Sequence, residues 1–98
     1  MAQTIIRWSP RAVSNLEDIC IYIAKDSRFF ASFFAQKVFS IIKSLPKFSK
    51  SGRMVPEYGD ETIREKIYKN YRIVYRINGP IIEIVAICHG TKPLKDLI

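Results

Sequence analysis

Residues 63–92 read IREKIYKNYRIVYRINGPIIEIVAICHGTK, and the fold follows from how this stretch alternates. Three runs rich in β-branched and aromatic residues, Thr62–Tyr68, Tyr71–Ile77 and Ile81–Cys88, predict an antiparallel meander. Asn78-Gly79 marks the second hairpin, and because Pro80 lacks an N–H the expected connection is a four-residue loop, Asn78–Ile81. Period-two counting places Tyr71, Ile73, Tyr75, Ile77, Ile82, Ile84, Ala86 and Cys88 on one face, apolar enough to bury. The other face then carries Arg72, Val74, Arg76, Glu83, Val85, Ile87 and His89. With Ile63 and Ile67 turned toward the core, Arg64 and Lys66 join that cationic side.

Upstream, Gln3–Trp8 (QTIIRW) predicts a short strand, and Ser9-Pro10 supplies an N-cap followed by proline at the first helical position. Ala12, Leu16, Ile19 and Ile23 then recur as one stripe of an amphipathic helix that ends at Asp26-Ser27. A second helix is expected from Arg28 to Leu45. Its stripe is Ala31, Phe34, Val38, Ile41 and Leu45, widened toward the core by Phe30, Phe33 and Phe39, and Pro46 closes it. So short a turn between capped helices makes an antiparallel hairpin. Lys47–Asp60 shows no period and reads as a long surface loop, with Arg53 and Glu57 as candidate functional residues on it. The expected architecture is one α+β domain over residues 1–98: an N-terminal strand and an antiparallel helical hairpin packed on a small antiparallel β-sheet.

A chain of 98 residues is long enough to bury a core. Its 16 Lys+Arg against 9 Asp+Glu give a net charge of +7, which suits an anionic partner, whether nucleic acid or an acidic protein. A hydrophobic content of 48% argues against disorder. Cys20 and Cys88 lack metal-ligand spacing and there is a single histidine, so neither a zinc site nor any cofactor is expected. No leader segment is recognisable and no apolar run approaches the ~18 residues of a membrane span, so the chain reads as cytoplasmic.

A cationic sheet face is either a solvated surface that discourages edge pairing or a working surface for phosphate. Cleaving RNA without a metal requires a base for the 2′-hydroxyl, charge stabilisation and an acid for the leaving oxygen. Arg64, Arg72 and Lys92 are candidates for charge stabilisation, Lys66 for the base and His89 for the acid. A histidine at a strand end equally suits a local hydrogen bond, and Glu65 and Glu83 read as partners of neighbouring arginines. No carboxylate pair, serine constellation or glycine-rich phosphate loop points to another hydrolytic class.

Four segments in order, WSPRAVSNLEDICIYIAKDS, SGRMVPEY, IREKIYKNYRIVYRI and IVAICHGTK, resemble the RelE/ParE superfamily of bacterial toxins, also known as plasmid stabilisation proteins. The resemblance spans nearly the whole chain and implies a helical hairpin on a small antiparallel sheet. It implies two alternative activities. RelE-like members cleave messenger RNA on the ribosome with basic residues of the sheet face. Arg64, Lys66 and Arg72 match that set, and Lys92 falls where an arginine is usual. The chain ends at Ile98, where those nucleases carry an aromatic or histidine tail residue, leaving His89 for that role. ParE-like members inhibit DNA gyrase without an active site, and the YIAKDS turn, GRMVPE and ICHG are closer to that branch. A degenerate, non-toxic antitoxin-binding module is a third alternative. The resemblance also implies a cognate antitoxin whose acidic, partly disordered segment wraps the toxin in a hetero-oligomer away from any membrane.

Overall fold

Ser9 and Ser27 set the helical layer. Both are extended N-cap residues, and their hydroxyls accept hydrogen bonds from the backbone N–H groups of Ala12 and Phe30, satisfying donors that a helix start leaves orphaned. A computed structural model describes residues 4–92 and Leu94. Within them run β1 (Ile5–Trp8), α1 (Pro10–Ala24), α2 (Arg28–Ser44), β2 (Arg53–Met54), β3 (Ile63–Tyr68), β4 (Tyr71–Asn78) and β5 (Ile81–His89). Gln3, the expected first residue of the opening strand, lies outside the described residues. The architecture is the α+β one that the sequence predicts.

The sheet is larger than the expected meander. It has five strands in the order β1-β5-β4-β3-β2. β1 pairs in parallel with β5, and the other neighbours are antiparallel. β2 comes from the stretch expected to be a structureless loop. The β4–β5 connection is also tighter than expected: Asn78 pairs with Ile81, so only Gly79 and Pro80 form the turn. Gly79 has φ +59°, the conformation a tight hairpin asks of its first central residue. The bond across such a turn joins the residues flanking it, so the missing N–H of Pro80 costs nothing.

Both faces of the sheet are covered. On one, Ile73, Tyr75, Ile82, Ile84 and Ile87 pack beneath Ala12, Leu16, Phe34, Val38, Ile42 and Leu45. On the other, Ile63, Val74, Val85, Ala86 and Cys88 pack under Val55, Leu94 and Tyr58, so the linker after α2 and the segment after β5 form a second cover. This corrects the expected facing of β5. Val74 pairs with Ala86 but Tyr75 pairs with Ile84, so Val85 is the extra residue of a β-bulge. The bulge shifts the alternation by one residue, turning Ala86 and Cys88 away from the helices and Ile87 toward them. Beyond Trp8 the outer edge of β5 has no strand partner among the described residues, and α1 satisfies it instead. Val85 O accepts from Ser9 Oγ (2.8 Å), and the Ile87 N–H donates to Asn15 Oδ1 (3.1 Å).

Helix α2 departs from expectation on its outer side. Ala31, Phe34, Val38, Ile42 and Leu45 are buried, but Phe29, Phe30, Phe33 and Phe39 are 70%, 60%, 40% and 51% exposed. Phe39 leans on Trp8, whereas Phe29 and Phe33 stack on each other and Phe30 meets the edge of Phe29.

Candidate functional site

The candidate basic residues sit on three strands and a turn, and sheet register decides which can meet. Residues directly paired across antiparallel strands share a face. Arg64 pairs with Tyr75 and Lys66 with Ile73, so both stand on the helix side of the sheet. Arg72 pairs with Ile67 on one neighbour and Cys88 on the other, and so stands on the opposite side with Ile63 and Glu65. The expected union of Arg64 and Lys66 with Arg72 therefore does not form. The reason is that Ile63 points into the second core, not beneath the helices. His89 pairs with Tyr71 and also faces the helix side, its ring edge-on to Tyr71 at 5.7 Å.

Arg72 is the centre of a buried charge network. Its Nη1 and Nη2 donate to the two carboxylate oxygens of Glu57 at 2.8 and 2.9 Å, a fork-to-fork pair, and its Nε donates to Glu65 Oε1. Glu65 Oε2 in turn accepts from Arg53 Nε at 2.5 Å. The side chains of Arg72 and Glu65 are 7% and 0% exposed, Glu57 is 31% exposed, and Arg53 is mostly in solvent. Bonding to Arg72 draws the Glu57 carboxyl down to about 2, and bonding to Glu57 holds the Arg72 guanidinium above its ordinary value. Each nitrogen of the Arg72 guanidinium is thus engaged by a carboxylate. Two arginines and two glutamates balance to zero charge where the sequence suggests a bare cationic groove.

The network clamps the 49–60 segment to the sheet, and a second clamp lies on the helix side. Tyr75 is fully buried, its hydroxyl donates to Ser49 O (2.7 Å), and it accepts from the Gly52 N–H (3.0 Å). Burial pushes the Tyr75 phenol up, keeping it neutral and able to do both. A Cβ on Gly52 would fall 2.5 Å from Glu65 O and 2.6 Å from Tyr75 Oη, so only glycine lets the segment come this close. Arg64 joins the same clamp, its Nη1 donating to Gly52 O and its Nε to Glu61 O, both at 2.9 Å. Tyr58 Oη donates to Leu94 O and ties the cover together.

The remaining candidates are dispersed. Lys66 is half-buried on the helix side, and Lys92 lies exposed in the turn after β5, where its N–H donates to His89 O. His89 Nδ1 lies 2.9 Å from Thr91 Oγ1, the local bond that a strand-end histidine suits. Burial pushes the Cys88 thiol up despite the nearby cations of Arg72 and Lys92, and burial likewise raises Cys20. No cluster of His, Cys, Asp and Glu able to hold a metal occurs among the described residues, and no helix there is long and apolar enough to cross a membrane. Sequence reasoning singled out Glu57 and Arg53 individually but missed their convergence with Glu65. The signal was Glu65 itself, a carboxylate in mid-strand two residues from the buried Ile63. It also missed Tyr75 as a polar clamp, because its hydroxyl is invisible to hydropathy counting.

Comparison with known proteins adds family to fold. Residues 6–93 match the model of the ParE toxin of type II toxin–antitoxin systems, parDE. A search of curated proteins finds no match. Among solved structures, a chain described as the chromosomal ParDE TA system from P. aeruginosa superposes with a TM-score of 0.74 at 18% identity. The match covers 91% of this chain and 98% of that one.

Proposed function

Since the chain belongs to the ParE toxin family of type II toxin–antitoxin systems, we propose that it arrests growth by binding an essential cytoplasmic target without chemistry of its own, DNA gyrase being that target. A cognate antitoxin neutralises it in a hetero-oligomer. The observation that carries this reading is the state of Arg72. A guanidinium that is to meet a transferring phosphate needs an open N–H edge, and here Glu57 and Glu65 engage all three nitrogens of a side chain only 7% exposed. Arg64 and Lys66 on the far side of the sheet, and His89 bonded to Thr91, supply no second cluster beside it.

Inducing the chain alone in bacteria tests the reading. Growth should stop, plasmid supercoiling should fall, and the purified protein should inhibit gyrase and bind it. New messenger 5′ ends appearing at arrest, with supercoiling intact, would favour the RelE-like ribonuclease built on Arg64, Lys66, Arg72, His89 and Lys92. Expression without any growth defect would leave only an antitoxin-binding module.

A further inference from the structure

Charge is unevenly spread along this chain. Residues 27–56 hold six of its 16 cations and none of its 9 carboxylates, so elsewhere ten cations nearly balance nine carboxylates. A surface made only for solubility interleaves both signs. Four of the six have a local explanation. Arg28 opens α2, Lys37 lies over the Phe33 ring, Lys43 sits in the last turn of α2 where a cation suits the helix end, and Arg53 is engaged by Glu65. Lys47 and Lys50 have none. Both are exposed, and no ion pair engages either among the described residues. With Phe48, Ser49 and Ser51 they line one open depression of about 350 Å³ just past the end of α2.

The turn that carries these lysines is fixed by its own bonds. The N–H groups of Lys47 and Phe48 donate to Ser44 O at 3.2 and 3.1 Å, and the Ser51 N–H donates to Phe48 O at 2.9 Å. From within the core, the Tyr75 hydroxyl grips Ser49 O and the Gly52 N–H. The backbone is therefore set before any ligand arrives, and no ordering of the main chain opposes binding. Charge and shape then narrow the ligand. Over residues 45–56 the large apolar side chains left exposed are Phe48 and Met54, too few for the apolar centre of a protein interface. A lysine is a compact point charge without the planar fork that reads a base edge, so the pair suits phosphates met in any register. Duplex DNA presents such phosphates most densely, one charge per ~1.7 Å of its axis.

We propose that the turn after α2 binds the phosphate backbone of duplex DNA without reading its sequence, through Lys47 and Lys50 with Lys43 beside them. The proposal rests on the gyrase reading only for what brings the DNA, which is then the duplex that the enzyme holds. Fluorescence anisotropy with a labelled 20-base-pair duplex of mixed sequence tests the site without gyrase. The parent should bind in the range of about 1–100 μM, and its affinity should fall with salt at a logarithmic slope of about −3, the mark of three phosphate contacts. Lys47→Gln/Lys50→Gln should weaken binding about tenfold and bring the slope to about −1. The charge-matched control Arg7→Gln/Lys25→Gln should stay within about twofold of the parent, and Phe48→Ala within about threefold. Thermal melts of every variant should match the parent, because each altered side chain is exposed. With purified gyrase, the lysine variant should bind the enzyme as the parent does in the absence of DNA, yet about tenfold more of it should be needed to stop supercoiling. A parent that binds the duplex but leaves gyrase untouched would end the gyrase reading and keep the DNA site. A parent that inhibits gyrase, with duplex binding absent or equally weakened by the control pair, would overturn the site and keep the reading. Two other results would also overturn it: tighter binding of the matching single strand with the loss concentrated at Phe48, the pattern of base stacking, or displacement of the duplex by polyglutamate at a lower charge concentration than by unlabelled DNA.

Discussion

Replacing Arg72 by methionine would keep the length and apolar body of the side chain and strand the carboxylate of Glu65. The Glu57 half of the network lies near the surface, where an ion pair contributes about 0–1 kcal/mol. The Glu65 half is different: its side chain has no exposure, and its one remaining partner would be Arg53, which is mostly in solvent. Removing one member of a buried pair costs about 3–5 kcal/mol, so that is the expected loss. At about 4–8 °C per kcal/mol for a domain of this size, the melting temperature should fall by about 12–40 °C. Urea unfolding followed by far-UV circular dichroism measures it, with the fluorescence of Trp8 as a second probe. The companion variant Arg72→Met/Glu65→Leu removes the stranded charge as well and should recover to within about 2 kcal/mol of the parent, since apolar replacements of buried ion pairs are close to neutral. A single-variant loss below about 1 kcal/mol, or a double variant worse than the single, would refute the account of Glu65 as a charge that only Arg72 makes tolerable.

Three further outcomes follow from the same clamps. Glu57 is held at about 2 against an ordinary 4.5, so its contribution is full above pH 4.5 and disappears as the pH falls through about 2. Glu57→Gln should flatten that part of the stability–pH curve, by at most about 1 kcal/mol because the group is partly solvated. Gly52→Ala should cost about 1–3 kcal/mol in urea unfolding, because the atoms its Cβ would meet are a strand carbonyl and the fixed Tyr75 ring. Ser9→Ala removes both the cap of α1 and the bond to Val85 O and should cost about 1–2 kcal/mol. Ser9→Thr, which keeps the hydroxyl, should recover most of that in the same titration.

The helices were legible because their signals are local. Ser9-Pro10 and Ser27 announce starts, and the i, i+4 spacing of Ala12 with Leu16 and of Phe34 with Val38 marks inward faces. The meander was legible from its turns. Facing was not, for two physical reasons. A period-two count assumes an unbroken ladder, and the bulge at Val85 reverses its phase midway along β5. The count also assumes one covered face, whereas the apolar run from Ile84 to Cys88, buried throughout, is the mark of a strand covered on both. With that run read so, Ile63 and Val74 fall under a second cover, and Arg64 and Lys66 part from Arg72. β2 pairs for only two residues and carries no pattern of its own. The phenylalanines of α2 misled because hydropathy records that a residue is apolar but not whether anything lies over it.

The bonds from Ser9 to Val85 and from Asn15 to Ile87 join residues 76 and 72 positions apart, and β1 lies beside β5. The first strand therefore cannot find its place until the last one exists. On a ribosome, the opening segment must wait, unpaired, until synthesis has almost finished. The sheet then assembles in a late and concerted step, with slow folding as the general consequence of such distant contacts. The chain thus spends most of its synthesis without its complete sheet, and reaches its folded form only at the end.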